Sequence, residues 1–153
     1  MLKKLIEQGG MMLKKYVLIA ALIILVVVIF TFYRYREQDL GDVLKIDQVD
    51  KILLTTEEKE LNGVEIPKVD QEQINQLADF LNQYKVRLTM REGWTSDYPS
   101  EQFTLRLVYK NGDFEIYTFE HDVVVSTRRI YKVVNAPLDY KGIQEFEREL
   151  YSK

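Results

Sequence analysis

The sequence predicts an α+β protein: one N-terminal transmembrane helix, then an antiparallel sheet with two helices packed on one face. Three observations point there. Tyr16 to Tyr33 runs for eighteen residues without a charge, Gly or Pro. Several later stretches alternate apolar and polar residues at period two, the mark of half-buried strands. Two further stretches repeat their apolar residues at helical spacing, each exposing one apolar face.

At 1.5 Å per residue the first stretch spans roughly 27 Å as a helix, about the apolar thickness of a bilayer. Lipid offers the backbone no water, so a single span must be helical, and the β-branched run Val26-Val27-Val28-Ile29 is overridden. Tyr16, Tyr33 and Tyr35 lie at its ends, where amphipathic rings favour the interface. No small-residue cleavage pattern follows Phe30-Thr31-Phe32-Tyr33, which favours an uncleaved signal anchor over a cleaved signal peptide. Lys3, Lys4, Lys14 and Lys15 precede the span and Arg34 and Arg36 follow it. Four basic residues against two predict residues 1–15 inside the cell and the C-terminal domain outside. Met12-Leu13-Lys14-Lys15 echoes Met1-Leu2-Lys3-Lys4, which suggests a true start at Met11 or Met12 and residues 1–10 as a start-site artefact. The expected layout is therefore 1–15 cytoplasmic, 16–33 transmembrane, 34–42 tether and 43–153 a single extracytoplasmic domain.

Charge divides with this layout. Residues 1–36 hold six Lys/Arg and one Glu, whereas 37–153 hold fifteen Lys/Arg and twenty-three Asp/Glu. An acidic domain is a poor match for nucleic acid, whose affinity comes from neutralised phosphates. The absence of cysteine removes disulfides, thiol catalysis and zinc–thiolate sites, and suits an exported Gram-positive domain.

Taken in order, the polar stretch Glu37 to Asp42 reads as the tether. Val43 to Thr56 is strand-like, most clearly over Ile52–Thr56. Asn62-Gly63 signals a turn, and Val64–Ile66 a short return strand that Pro67 stops. Asp70 with Gln73 three residues on forms a capping box, opening a helix whose apolar face is Ile74, Leu77, Ala78, Leu81 and Tyr84. Val86–Arg91 alternates as a strand, and Glu92–Ser100 is a loop. Phe103–Tyr109 alternates again up to Asn111-Gly112, which predicts a two-residue type I′ hairpin. That turn sets a register of Tyr109 with Phe114, Leu107 with Ile116 and Leu105 with Thr118, leaving Arg106 and Tyr117 on the polar face. After the turn Glu120-His121-Asp122 come strands at Val123–Val125 and Ile130–Val134, with Thr127-Arg128 in a tight turn between them. The last helix runs from Asp139 to Tyr151, its apolar face made by Ile143, Phe146 and Leu150.

No constellation of residues compels a chemistry. His121 is the one histidine, in a turn between two carboxylates, so neither a metal site nor a cofactor site is expected. Glu92, Asp97 and Glu101 surround Trp94 and Tyr98, a grouping that suits glycan chemistry or simply a loop folded over the core. Ser126, Thr127, Arg128 and Arg129 form the one basic, hydroxyl-rich spot of an acidic domain, able to grip a carboxylate or phosphate or merely to guard a sheet edge. The candidate binding residues are thus Trp94, Tyr98, Arg128 and Arg129. They imply a non-catalytic binding or regulatory module with a protein or cell-wall partner; the alternative is a glycan-acting enzyme using the loop carboxylates. The succession of anchor, acidic tether, strand, Asp70-capped helix, hairpins and the Ile130-Tyr131-Lys132-Val133-Val134 strand resembles uncharacterised small membrane-anchored extracytoplasmic proteins of Bacillus-type Firmicutes. The resemblance covers residues 45–150, is one of pattern, and implies an exported, non-catalytic domain without carrying over any functional residue.

Overall fold

A computed structural model describes residues 2–56, 66 and 68–151, with side chains from residue 14 onward. The chain divides into two compact units, Met1–Arg36 and Glu37–Lys153.

The first unit is a single helix, α1 (Leu2–Arg34). Lys14–Arg34 is long and apolar enough to cross a membrane. Its large apolar side chains, from Tyr16 to Tyr33, are exposed. Thr31 is the one aliphatic hydroxyl of the stretch, and it donates to the Val27 carbonyl at 2.8 Å, so it carries no unsatisfied group. Arg36 lies over the Tyr33 ring, 4.1 Å from its centroid.

The second unit is α+β. Its seven-stranded antiparallel sheet has the order β1-β3-β7-β6-β5-β4-β2. The strands are β1 (Gln38–Asp39), β2 (Val49–Thr55), β3 (Lys85–Leu88), β4 (Gln102–Tyr109), β5 (Phe114–Glu120), β6 (Val123–Ser126) and β7 (Ile130–Val133). The helices are α2 (Leu40–Leu44), α3 (Gln71–Leu81) and α4 (Tyr140–Tyr151). One core holds Ile52, Leu54, Phe103, Leu105, Leu107, Phe119 and Val124 of the sheet against Ile74, Leu77 and Leu81 of α3 and Ile143, Phe146 and Leu150 of α4. The capping box of α3 is present in both directions: Gln73 N donates to Asp70 Oδ1 at 2.9 Å, and Asp70 N donates to Gln73 Oε1 at 3.0 Å.

The folded unit begins at Glu37, earlier than the tether expected over 34–42 allows. Gln38 and Asp39 pair with Val86 and Lys85, and Leu40 and Leu44 are fully buried. Val43 to Gln48 forms helix and 3-10 turn instead of the expected strand, which starts at Val49. β1 and β2 lie at opposite edges of the sheet, so these residues must carry the chain from one edge to the other. Lys45, in the left-handed region at φ 51°, ends α2 and redirects it. The strand expected over 64–66 falls mostly outside the described residues.

The β4–β5 hairpin corrects the expected register by one residue. Val108 pairs with Phe114, Arg106 with Ile116, Leu105 with Tyr117 and Phe103 with Phe119. The turn spans three residues. Gly112 N donates to Tyr109 O at 2.9 Å, and Tyr109 N donates to Asp113 O at 2.8 Å. Only Gly112 is left-handed, at φ 89°, and Asn111 is not, so a type I turn followed by a left-handed glycine replaces the type I′ turn. Asn111 Oδ1 accepts from Asp113 N at 3.0 Å and holds this arrangement. A one-residue slip exchanges the two faces of a strand. Tyr117 and Phe119 are therefore buried, while Phe114 is 57% exposed. Phe119 stacks on Phe103 at 4.5 Å, and Arg106 covers Phe114 at 4.9 Å on the outer face.

A Cβ at position 112 would meet open space, so substitution there probes the backbone alone. Gly112→Ala is expected to cost about 1–2 kcal/mol from the left-handed conformation. Gly93→Ala, with equally open space and no positive φ, is expected to leave the thermal midpoint within error. Melting of both variants followed by circular dichroism checks this.

Candidate functional site

Beyond the helices, the core face of the sheet changes from aliphatic to phenolic. Tyr109 at the end of β4, Tyr117 in the middle of β5 and Tyr131 near the start of β7 line a cleft of about 800 Å³. Its walls are the α2 connection (Val43, Lys45, Gln48), the β4–β5 tip and the β6–β7 tip, Ser126 to Arg129. This volume lies within the range of small-ligand sites. The connection is fixed to the end of β4 by three bonds. Tyr109 OH donates to Leu44 O at 3.0 Å, Lys110 N to Gln48 O at 2.9 Å, and Lys110 Nζ to Asp47 O at 2.9 Å.

The polar groups of the cleft are linked. Tyr117 OH donates to Glu115 Oε2, and Arg129 Nη1 donates to Tyr131 OH at 3.4 Å. Burial pushes the Tyr117 phenol well above its ordinary range; its bond to Glu115 and the adjacent Tyr109 hydroxyl push the same way. Tyr109 is raised too, by burial first, and the nearby Glu115 charge adds to it. Both phenols stay neutral at any physiological pH and serve as donors. Arg128 has no ion-pair or hydrogen-bond partner among the described residues. The β6–β7 turn presents it: Ser126 N donates to Arg129 O at 2.8 Å, and Arg129 N donates to Ser126 Oγ at 3.2 Å. The cleft thus offers a phenolic floor that carries the Glu115 carboxylate, with two cationic forks at one rim. It suits an anionic group attached to something that packs on aromatic rings.

Trp94 and Tyr98 lie elsewhere. The loop from Glu92 to Ser100 adjoins the opposite ends of β4 and β5, so the structure separates the two candidate pairs. Glu120 pins this loop. Its carboxylate is buried, with 3% exposure, and accepts from Ser96 Oγ, Asp97 N and Tyr98 N, each at 2.6 Å. Burial alone would raise its pKa, but these three donors and His121 outweigh it and hold the group below the ordinary carboxylate range. His121 sits at φ 49°, stacks on Tyr98 at 4.3 Å and places Nδ1 2.9 Å from Glu101 Oε2. Of the three loop carboxylates, Glu101 is thus engaged with His121, while Glu92 and Asp97 are exposed. Trp94 is half-buried and Tyr98 is 47% exposed. No group of three or more potential metal ligands occurs among the described residues.

Sequence reasoning found Ser126–Arg129 but not Tyr109, Tyr117, Tyr131, Glu115 or Lys45. The available signal was tyrosine replacing leucine at inward strand positions, and the slipped register hid it by turning Tyr117 outward. No protein family, characterised protein or solved structure matches this chain.

Glu120 gives a pH dependence whose sign follows from its lowered pKa. The loop is stabilised above the ordinary carboxylate pKa, and that stabilisation is lost as pH falls through the lower folded value. Trp94, the only tryptophan, reports it. Its emission is expected to hold steady from pH 7 to about 4 and to change below that. Glu120→Gln keeps one oxygen for the Asp97 and Tyr98 N–H groups but removes the charge they bond to and sets an NH2 group against Ser96 Oγ. It is expected to shift the emission already at pH 7 and to cost about 1–3 kcal/mol in urea unfolding.

Proposed function

We propose that this chain is a membrane-anchored, extracytoplasmic binding or regulatory module, non-catalytic, that engages a protein or cell-envelope partner through the cleft of Tyr109, Tyr117 and Tyr131. Residues 16–33 act as an uncleaved anchor, with the N-terminus inside and residues 37–153 outside. The apolar length of α1 and the basic excess before it support this placement. One observation carries the choice of site: the cleft is concave and its lining brings Arg128, which has no ion-pair or hydrogen-bond partner among the described residues, together with Arg129 and three tyrosines. Convergent polar groups on an aromatic floor are the general signature of a ligand site. The Trp94–Tyr98 loop is held by Glu120 and His121, and that order favours a structural role, with Tyr98 as its exposed ring.

The test places a photo-crosslinking residue at Phe114, on the rim of the cleft, in the full chain expressed in intact cells. A discrete adduct is expected, lost in Arg128→Ala/Arg129→Ala and retained in Trp94→Ala. Both arginines lie on an exposed turn, so their removal is expected to change stability by no more than about 0.5 kcal/mol. An adduct that survives the arginine variant and disappears with Trp94→Ala would transfer the binding surface to the loop. No adduct in any variant would remove the binding reading.

A further inference from the structure

We propose that the cleft receives the free C-terminal end of a short extended peptide, which adds as a strand beside β5 with its carboxylate against Arg128 and Arg129. The proposal rests on the cleft being the ligand site and names the class of ligand.

The observation behind it is a gap in the sheet. β5 has register partners on β4 from Phe114 to Glu120, but on β6 only from Tyr117 to Glu120. β6 ends at Ser126, opposite Tyr117, and turns back into β7. The turn residue Thr127 follows opposite Ile116, and beyond it no described residue continues the line of β6 beside Phe114 and Glu115. Backbone direction makes this vacancy a binding edge. In an antiparallel strand, successive residues direct their N–H and C=O groups to opposite neighbours. Tyr109 N donates to Asp113 O, which assigns the odd residues of β5 to β4. Ile116 consequently directs its backbone groups toward Thr127, and Phe114 directs its own to the open side beyond it. The other edge of the sheet shows how such groups are silenced elsewhere. Tyr151 OH bonds both N and O of Leu54 on β2 at 2.9 Å, and Tyr140 OH donates to Thr56 O at 2.9 Å. No side-chain bond of this kind reaches Phe114 or Ile116 among the described residues.

The slot beyond Thr127 is two residues long, about 7 Å at strand spacing, with Ile116 at its inner end. The Ser126–Arg129 turn closes its inner end. A chain entering from outside has to stop there, and its stopping group meets two guanidinium forks, which match a carboxylate bidentately. The carboxylate enters first, so the peptide runs parallel to β5. Neither nearby acid makes an ion pair with the forks among the described residues: Glu115 accepts from Tyr117 OH and lies near Arg129, and Asp113 is held by Asn111. Side chains of the added strand alternate in direction, and every second one falls on the floor of Tyr117 and Tyr131.

The test uses the full chain in detergent micelles. The probe is an array of N-acetylated tetrapeptides varied over all residue types at the last two positions, each made as the free acid and as the C-terminal amide. Members of the free-acid set are expected to bind, and their amides to bind about ten- to a hundredfold more weakly, the range for a lost charge-assisted contact. Arg128→Ala/Arg129→Ala is expected to give the same loss. Hydrogen exchange of the Phe114 amide is expected to slow about tenfold or more with bound peptide, a readout that a bare anion on the arginines would not move. Equal binding of acids and amides, no binding by any member, or binding without protection at Phe114 would overturn the peptide assignment. If cellular crosslinking at Phe114 still depends on the arginines in those cases, the ligand site stands and only its ligand class is wrong.

Discussion

The pairing of β4 with β5 is the constraint on which the folded unit depends. Gly112 in the left-handed region makes the turn one residue longer than its Asn-Gly dipeptide suggests, and every partner along β5 follows from that count. The resulting register puts Phe119 onto Phe103 in the centre of the core and Tyr117 onto Leu105 beside it. It also aligns Glu115 with the core face of the sheet, where the Tyr117 hydroxyl reaches it. With the other register the core would receive Phe114 and Ile116, and Tyr117 would face outward with Arg106. The fold and the cleft are thus consequences of one turn.

A second theme is how the sheet deals with its unpaired groups. At the β2 edge, phenol and carboxylate groups from α4 satisfy the backbone of Leu54 and Thr56. At the Gln102 end of β4 the buried Glu120 collects the backbone of the Trp94–Tyr98 loop, so a carboxylate that would be costly alone becomes a clasp. At the Tyr109 end the hydroxyls of Tyr109 and Tyr117 are satisfied, while among the described residues the β5–β6 register stops at Tyr117 and Arg128 has no hydrogen-bond or ion-pair partner.

Much of the architecture was legible in the sequence because it depends on local chemistry. Asp70 and Gln73 cap α3 whatever the rest of the chain does, and Ile143, Phe146 and Leu150 define the buried face of α4 by spacing alone. The α+β class and the antiparallel sheet followed from these and from the alternating strands. What could not be read depended on tertiary choice. Asn111-Gly112 is compatible with two turn types, and Phe-Glu-Ile-Tyr-Thr-Phe-Glu from Phe114 to Glu120 carries apolar residues on both faces. Pairing of Phe119 with Val124 and Phe103 decides between them. Leu40 and Leu44 sit in a polar stretch, and only the crossing from β1 to β2 buries them. The candidate site was half visible: the arginine turn declares itself by composition, whereas the tyrosine floor exists only in the correct register.

Cross-strand disulfide trapping tests that register directly, and a chain without native cysteine permits it cleanly. Thr104 and Thr118 face each other on the outer side of the sheet. The pair Thr104→Cys/Thr118→Cys is expected to form an intramolecular disulfide on mild oxidation, seen as a mass loss of about two hydrogens with a mobility shift under non-reducing conditions. The pair Leu105→Cys/Thr118→Cys, which the type I′ turn would bring together, is expected to stay reduced. Bridging of the second pair and not the first would contradict the register, and with it the tyrosine-lined cleft.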